Sequence, residues 1–193
     1  MNIEKKGILE LYKSEITVFS LKDIALYLDE GNFNNLKARV KYFVDKGYLF
    51  RQRKGIYSKK EYNKKELVTK IYTPAYISFE TVLLAEGVIF QYYESFFVAT
   101  YLSREIKLLN GIKIQFRKLK DEILLNENGI LRKENYFIAT KERAFLDLLY
   151  LNDDYFFDNL NKIDFQKCRE IVKIYNNKQL EIRLEKYAQL AKT

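Results

Sequence analysis

Apolar residues recur at helical spacing in two neighbouring segments near the beginning of the chain. The apolar positions of the first segment are Leu21, Ile24, Ala25 and Leu28. Those of the second are Phe33, Leu36, Val40, Phe43 and Val44. This spacing predicts two amphipathic helices, the first capped by Ser20 and the second running over about residues 33–46. Between them, Asp29-Glu30-Gly31-Asn32 predicts a break, at which Gly31 is able to take a left-handed conformation.

Two short apolar runs after these helices predict a β-hairpin. Tyr48-Leu49-Phe50 and Gly55-Ile56-Tyr57 flank a cationic tip, Arg53-Lys54-Gly55, and Gly47 ends the second helix. A further helix is predicted over residues 3–13, before the first two. The order of helix, turn, helix and cationic hairpin is typical of a winged helix-turn-helix domain that binds DNA.

The polar arc of the second helix carries side chains that are suited to reading DNA. Asn matches adenine edges, Arg matches guanine edges, and Lys matches phosphates. The residues of this arc available to bases or backbone are Asn34, Asn35, Lys37, Ala38, Arg39, Lys41 and Tyr42. The hairpin residues predicted to hold flanking phosphates or to enter a minor groove are Arg51, Arg53 and Lys54. The further predicted backbone contacts are Lys22, Lys59, Lys60, Lys64 and Lys65.

The second half of the chain predicts an α+β domain with a small, mostly antiparallel sheet and C-terminal helices. Phe96–Tyr101 reads as a strand, and Asn110-Gly111 predicts the turn of a following hairpin. Ser78 and Thr140 are predicted helix caps. Inward positions of the helix after Thr140 are Ala144, Phe145, Leu148 and Leu149. Further helical stretches are predicted at about 153–160, 164–176 and 178–191. The predicted organisation is a winged helix-turn-helix domain over residues 1–62, a linker helix over 63–73 and an α+β domain over 74–193.

The net charge of +8 is unevenly distributed. Residues 37–70 carry 12 Lys and Arg against 3 Asp and Glu, whereas residues 73–193 carry 18 against 17. Clustered positive charge favours a salt-sensitive attraction to phosphates. A surface that only keeps the protein in solution explains the positive total, but it explains the clustering less well.

A second basic cluster follows in the α+β half. Its members are Arg104, Lys107, Lys113, Arg117, Lys118 and Lys120. On a strand, Lys113, Gln115 and Arg117 share one face. The cluster either extends the surface that binds DNA or protects an edge strand against aggregation.

The composition excludes several kinds of site. The chain has no histidine and one cysteine, Cys168, so it can form neither an internal disulfide, nor a zinc site of the usual Cys/His type, nor a histidine-dependent catalytic triad. We expect Cys168 to be a small core residue, and we expect no cofactor and no metal. No apolar run approaches the length of a membrane span and the first residues do not resemble a signal peptide, so a cytoplasmic location is expected. Abundant Lys, Asn, Ile and Tyr suggest an AT-rich bacterial genome.

Two local patterns in the second half resemble those of a known family. The first is Tyr76-Ile77-Ser78-Phe79-Glu80-Thr81-Val82-Leu83, followed by Glu86-Gly87. The second is Ile138-Ala139-Thr140-Lys141-Glu142-Arg143-Ala144-Phe145-Leu146-Asp147-Leu148-Leu149-Tyr150-Leu151. Together with Lys54-Gly55-Ile56-Tyr57, they resemble the AbiEi family, the antitoxins and transcriptional repressors of bacterial abortive-infection systems for phage defence. One departure is Arg143, where lysine is expected; it keeps the charge.

The resemblance implies properties that the periodicity does not address. It implies that the winged helix binds repeats in the promoter of its own operon. The sequence leaves open whether copies bind as monomers or cooperatively as dimers. The resemblance also implies that the C-terminal domain opposes a nucleotidyltransferase-like toxin without a stable complex, the type IV arrangement. On this interpretation the chain is not an enzyme.

Two alternatives remain open. Glu105-Ile106-Lys107 after a strand fits part of a PD-(D/E)xK nuclease, although the expected upstream aspartate is missing, since none lies between Asp45 and Asp121. The other alternative is a winged-helix module that binds proteins through some of its many aromatic residues and does not bind DNA. Most of those residues lie at core-like spacing, which favours burial over a binding surface.

Overall fold

A computed structural model describes residues 3–192, with side chains from Gly7 onward. Contacts divide the chain into two compact units. Unit 1 extends to Ile71 and includes the segment Leu108–Gly111, and unit 2 comprises Tyr72–Lys107 and the residues from Ile112 onward. Each unit has its own sheet, and the fold belongs to the mixed α+β class.

Unit 1 combines helices with a three-stranded antiparallel sheet. Its elements are α1 (Ile3–Lys13), β1 (Val18–Ser20), α2 (Leu21–Leu28), α3 (Phe33–Asp45), β2 (Phe50–Arg53), β3 (Ile56–Ser58) and α4 (Lys64–Lys70). The strand order is β1-β3-β2, so the β2–β3 hairpin pairs with β1 through β3. The helix packing leaves one shared core, whose fully buried members include Leu11, Phe19, Ile24, Val40, Phe43 and Leu49.

The ends of α2 show which local signals determine its boundaries. Ser20 Oγ accepts a hydrogen bond from the Asp23 amide at 3.2 Å, and Asp23 Oδ2 accepts one from the Ser20 amide at 2.8 Å, which forms a capping box. The predicted cap is therefore confirmed. The break predicted after α2 is present, but its left-handed residue is Asp29, with φ +47°, and Gly31 does not use the freedom it offers. A short polar side chain tolerates this conformation better than most residues do.

One apolar residue of α3 departs from the predicted arc. Leu36, Val40 and Phe43 are buried, but the Phe33 side chain is 56% exposed. Phe33 begins α3 one turn before Leu36, so its side chain lies on the same side of the helix as the buried stripe. Along the helix axis, however, it lies beyond the residues that form the core, which leaves it exposed.

A buried carboxylate connects α4 with β1. Glu66 is 1% exposed and accepts hydrogen bonds from the Thr17 amide, the Thr17 hydroxyl at 2.6 Å and the Val18 amide at 3.1 Å. A carboxylate with three donors tolerates burial because its charge is compensated by hydrogen bonds. This helix lies in the segment that the sequence assigns to the linker, and its contacts place it in unit 1.

Unit 2 is built around a mixed sheet and the helices that pack on it. Its strands are β4 (Ala75–Ile77), β5 (Ser95–Thr100), β6 (Arg104–Lys107), β7 (Lys113–Lys118), β8 (Ile130–Lys133) and β9 (Tyr136–Ala139). Its helices are α5 (Phe79–Ala85), α6 (Asp121–Leu124), α7 (Lys141–Leu151), α8 (Phe165–Ile171) and α9 (Lys178–Leu190). Short 3-10 turns occupy Leu160–Lys162 and Val172–Tyr175.

The sheet of unit 2 is larger and less antiparallel than the sequence predicts. Its order is β6-β7-β5-β4-β9-β8, with β5–β7 and β4–β9 parallel and the other pairs antiparallel. The hairpins β6–β7 and β8–β9 form locally, but each joins the sheet through its second strand. Such long-range pairing is what produces the parallel neighbours, and no local turn signal indicates it.

The prediction of a helix immediately after α7, at about residues 153–160, is wrong. The chain there is irregular, and only Leu160–Lys162 forms a turn. Its backbone is satisfied by distant groups: the Tyr155 amide donates to the Tyr187 hydroxyl at 2.9 Å, and the Asn159 amide donates to the Val88 carbonyl at 3.0 Å. The predicted inward residues of α7 and the predicted core position of Cys168 are confirmed, since all are fully buried. Within the described residues, none of the helices has the length and apolar character needed to cross a membrane.

Candidate nucleic-acid interface

The exposed side of α3 is fixed by its caps and its buried stripe. Asn32 Oδ1 accepts hydrogen bonds from the amides of Asn34 and Asn35 at 2.9 and 3.2 Å, so it satisfies two of the donors at the helix start. At the other end, Gly47 takes φ +70°, which favours glycine. Because the stripe through Leu36 and Val40 faces the core, the opposite arc faces outward.

Most of the side chains predicted to read DNA lie on this outward arc. The exposed residues are Asn34, Asn35, Lys37, Ala38, Lys41 and Tyr42. Lys41 Nζ pairs with Asp45 Oδ2 at 2.5 Å, one helical turn away, with both side chains largely in solvent. Exposed pairs of this kind contribute about 0.3–0.5 kcal/mol, so a phosphate can compete for the lysine.

Arg39 has a different environment from its neighbours on α3. Its guanidinium is 3.6 Å from Glu30 Oε2, and its side chain is 21% exposed. A Cβ at Gly7 would lie 3.0 Å from Arg39 Nη2 and 2.5 Å from Leu28, so glycine allows α1 to approach this side chain closely. The predicted guanine contact would require Arg39 to leave Glu30.

The β2–β3 hairpin presents cations beside a tight turn. Gly55 takes φ +80° at this turn, and the pairing of β2 with β3 is irregular between Arg51 and Arg53. Arg51 and Lys54 are exposed, and Arg53 is half-buried. Bulged strands re-aim their side chains, which explains why the two arginines differ in exposure.

The lysines predicted to contact the DNA backbone fall into two groups. Lys22, Lys60, Lys64 and Lys65 are exposed. Lys59 is half-buried and donates to the carbonyl oxygens of Ser14 at 2.5 Å and Tyr12 at 3.2 Å, at the end of α1. Burial lowers the pKa of Lys59, and Glu66 partly opposes this shift. The structure therefore gives Lys59 an internal contact that stabilises the turn after α1.

The second basic cluster, on the sheet of unit 2, is partly neutralised within that unit. Arg117 Nη2 donates to Glu80 Oε1 at 2.7 Å, and its guanidinium carbon lies 4.5 Å from the Phe97 ring centroid. Lys113 Nζ donates to Glu94 Oε2 at 2.6 Å, an exposed pair. The exposed members are Arg104, Lys107, Lys118 and Lys120. Neither acidic partner is near the cluster in sequence, so charge counting along the strands did not find them.

The ion pair between Arg117 and Glu80 leaves one polar atom of each side chain without a hydrogen bond in the part of the chain that the structure describes. Glu80 Oε2 and Arg117 Nη1 are buried without a hydrogen-bond partner within the described residues. The planar guanidinium packs on aromatic faces, an arrangement that favours arginine over lysine. Arg117 is therefore held within unit 2, and it contacts DNA only if it leaves this position.

Unit 2 contains a buried ion pair that the sequence analysis did not identify. Arg143 and Asp147, one turn apart on α7, are both 0% exposed. Asp147 Oδ1 accepts from Arg143 Nε at 3.1 Å and from the Tyr175 hydroxyl at 2.6 Å. Its Oδ2 accepts from the hydroxyls of Ser78 at 2.7 Å and Tyr76 at 3.0 Å. Ser78, predicted to cap α5, makes no side-chain cap bond and donates to Asp147 instead.

The other donors of Arg143 are also used. Nη1 donates to the carbonyl oxygens of Asn126 and Asn128 at 3.3 and 2.8 Å. Nη2 donates to the Ile123 carbonyl at 2.7 Å and to the Tyr76 hydroxyl at 2.9 Å. All five N–H groups of the guanidinium and the four usual acceptor sites of the carboxylate are thus occupied. Such a saturated network has no remaining group with which to bind a substrate, and it serves to fix the fold.

The charges of this network are reflected in its pKa values. Burial raises the pKa of Tyr76 and Tyr175 well above their ordinary value, and the Asp147 carboxylate raises them further. Burial alone would lower the pKa of Arg143, but Asp147 and the two tyrosines raise it above its usual value. The raised pKa values keep Arg143 charged and the two tyrosines protonated near neutral pH.

Glu105, the residue on which the nuclease alternative depends, lies on the edge strand β6. It is exposed and pairs across the ladder with Gln115. No group of three or more His, Cys, Asp and Glu within the described part of the chain is arranged to hold a metal ion.

Comparisons with known proteins give a likeness of fold. The chain matches no family model and no curated protein. Its structure is similar to the crystal structure of the RV2827C protein from Mycobacterium tuberculosis, with a TM-score of 0.50 and 8% sequence identity over 89% of this chain and 71% of that one. At this identity the likeness concerns the fold alone.

Proposed function

We propose that this protein is a transcriptional repressor that binds DNA through a winged helix-turn-helix in unit 1. Helices α2 and α3 are the helix-turn-helix, and the β2–β3 hairpin is the wing. The observation that carries the proposal is the outward arc of α3, which exposes amide, lysine and aromatic side chains, within a segment that also carries the cationic hairpin. The clustering of 12 Lys and Arg within residues 37–70 supports it.

In this mechanism α3 enters the major groove and the hairpin contacts the flanking backbone. Asn34 and Asn35, at the start of α3, are placed where recognition helices contact base edges. Lys37 and Lys41 continue along the helix toward the backbone. Arg51 and Lys54 bind flanking phosphates, which positions the protein without selecting a sequence.

The salt dependence of binding tests the electrostatic part of this mechanism. If about six phosphates are neutralised, affinity falls by roughly a thousandfold between about 50 and 200 mM salt. The assay is fluorescence anisotropy with the DNA upstream of the gene and with an unrelated duplex. Binding that does not change with salt would contradict the proposal.

Variants separate sequence recognition from charge. Lys54→Ala should weaken binding to all duplexes alike and lower the salt slope by about one unit. Asn34→Ala should weaken binding to the upstream DNA and leave binding to unrelated DNA unchanged. Lys173→Ala, an exposed lysine of unit 2, is the matched control. If all three variants bind like the wild type, the assignment of the interface is wrong.

The second part of the proposal concerns the biological role. We propose that the repressor controls its own operon and acts as an AbiEi-like antitoxin in phage defence, opposing a nucleotidyltransferase-like toxin without a stable complex. The support is the sequence resemblance, since the two motifs that carry it supply Tyr76, Ser78, Arg143 and Asp147 to one buried network. The network explains in physical terms why these residue types occur in the two motifs, because each of them has a defined hydrogen-bond partner.

Co-expression tests the antitoxin role separately from DNA binding. The gene for the proposed nucleotidyltransferase-like toxin and this gene are placed under independent promoters, and growth is measured. Lys54→Ala should still restore growth, because the foreign promoter removes the need for repression. Failure of the wild-type protein to restore growth would refute the antitoxin role and leave the DNA-binding proposal intact.

A further inference from the structure

The exposed ring at the beginning of α3 is the strongest feature that the proposed function does not use. Phe33 is the first residue of α3, and its side chain is 56% exposed although its sequence position falls on the apolar stripe. Single exposed apolar residues are common and need no function. Phe33 differs because it lies directly beside Asn34, at the end of the helix that enters the groove in the proposed complex.

A lysine lies over this ring. Lys37 Nζ lies 4.1 Å from the Phe33 ring centroid, one helical turn along α3. This cation–π contact holds an apolar surface and a strong hydrogen-bond donor next to each other. Asn32 fixes the start of the same turn by capping the amides of Asn34 and Asn35. The pair is therefore a small two-part surface in a fixed place.

Thymine presents the complementary pair of groups in the major groove. Its C5 methyl group is apolar and its O4 is an acceptor, and none of the other three bases carries a methyl group there. Phenylalanine is among the side chains that contact the thymine methyl group. An ammonium group beside the ring is placed to donate to the adjacent O4. The two parts of the surface match the two groups of one base.

We propose that Phe33 and Lys37 together read a thymine, with the ring packed on its methyl group and the ammonium donating to its O4. This inference rests on the proposed DNA-binding function and adds to it the base that the helix start selects. Phe33 becomes a specificity-determining residue. Lys37 contacts a base edge in addition to being attracted by the negative charge of the DNA.

Replacing thymine by uracil tests the methyl contact directly, because the two bases differ only by that methyl group. The bound site is first located by footprinting on the upstream DNA, and each thymine in it is then replaced singly by deoxyuridine. Wild-type affinity should fall about fourfold at one position per bound unit, the factor expected for burying one methyl group. Other positions should change little.

Variants of the ring decide whether Phe33 is responsible. Phe33→Ala should bind more weakly and should bind the thymine and uracil duplexes equally. Phe33→Leu, which keeps an apolar side chain, should retain part of the preference. Asn34→Ala is the control, since it should keep the full thymine preference while losing affinity. Far-UV circular dichroism and thermal unfolding check that the variants fold, as expected for an exposed position.

The outcomes separate this inference from the function on which it rests. If the wild type binds its site in a salt-sensitive way but tolerates uracil at every position, the inference is overturned and the proposed function stands. The same holds if Phe33→Ala keeps the preference for thymine. If no duplex is bound, both fail.

Discussion

Replacing Asp147 by asparagine should destabilise unit 2 far more than its change in size suggests. The substitution keeps the shape of the side chain but removes the charge that balances Arg143. The guanidinium is 0% exposed and donates to Asp147 through Nε at 3.1 Å. It cannot lose its proton to escape the cost, because arginine remains charged in proteins.

The magnitude follows from the burial of the pair. Removing one partner of a buried ion pair costs about 3–5 kcal/mol, because it leaves the other charge uncompensated. Typical domains have about 5–15 kcal/mol of stability in total, so this is a large fraction. Part of the loss can be recovered, since the hydroxyls of Tyr76 and Ser78 can turn to accept from the new amide. We therefore expect about 3 kcal/mol.

The assay is equilibrium urea unfolding followed by far-UV circular dichroism and by near-UV tyrosine signals. Tyr76 and Tyr175 both donate hydrogen bonds to Asp147, so the network contributes to the near-UV signal. Glu185→Gln is the matched control in the same unit. Glu185 forms a bidentate, solvent-exposed ion pair with Arg169, and exposed ion pairs contribute about 0–1 kcal/mol.

A double variant tests the reasoning more strictly. Arg143→Met should cost less in the Asp147→Asn background than alone, because the uncompensated charge is gone, and neighbours in one network couple by about 0.5–3 kcal/mol. The reasoning is refuted if Asp147→Asn costs no more than Glu185→Gln, or if the two network substitutions are simply additive.

Three further predictions follow from buried or capping groups. Because burial and then Asp147 raise the pKa of Tyr175, the folded state keeps a proton that the unfolded chain releases above about pH 10, so stability is complete below that pH and falls as the pH rises. Tyr175→Phe should lessen this fall by about 1.4 kcal/mol in total between about pH 9 and 11 in urea unfolding, and an unchanged pH dependence would contradict the assignment. Glu66→Gln should lower the stability of unit 1 by about 2 kcal/mol because it weakens charge-assisted bonds, whereas the exposed Glu61→Gln should have little effect in the same thermal and urea assays. Asn32→Ala should cost about 1 kcal/mol through the lost cap of α3, and a thermal midpoint equal to the wild type would show that the cap contributes nothing.

Local chemistry accounts for the parts of the fold that could be predicted. The Ser20 cap and the Leu36–Val40–Phe43 stripe depend on residues three or four positions apart, and both appear in the structure as predicted. The burial of α7 side chains was predictable for the same reason. Phe33 shows the limit of periodicity, since a helical pattern gives the angle of a side chain but not where the core ends along the helix axis.

Long-range pairing accounts for the parts that could not be predicted. The partner of Arg117 is Glu80, and their separation along the chain hides the pair from any local count of charge. The Arg143–Asp147 pair is local, yet charged residues in a helix usually face solvent, so their spacing alone does not predict a buried pair. Their position among the inward apolar residues of α7 was the available signal. The binding of DNA by the exposed cations of unit 1 stays a prediction, because the position of a side chain on a surface does not identify its ligand.

The saturated network around Arg143 constrains how unit 2 comes together. Its members come from chain segments around residues 76–78, 123–128, 143–147 and 175, so no single hairpin or helix pair can complete it. A half-assembled form would enclose a charge without its donors or acceptors, which is unfavourable. Unit 2 should therefore assemble and disassemble as one cooperative body, with amide exchange near Asn128 and Tyr175 as slow as in α7. Few partially open forms are then present for a protease to cleave.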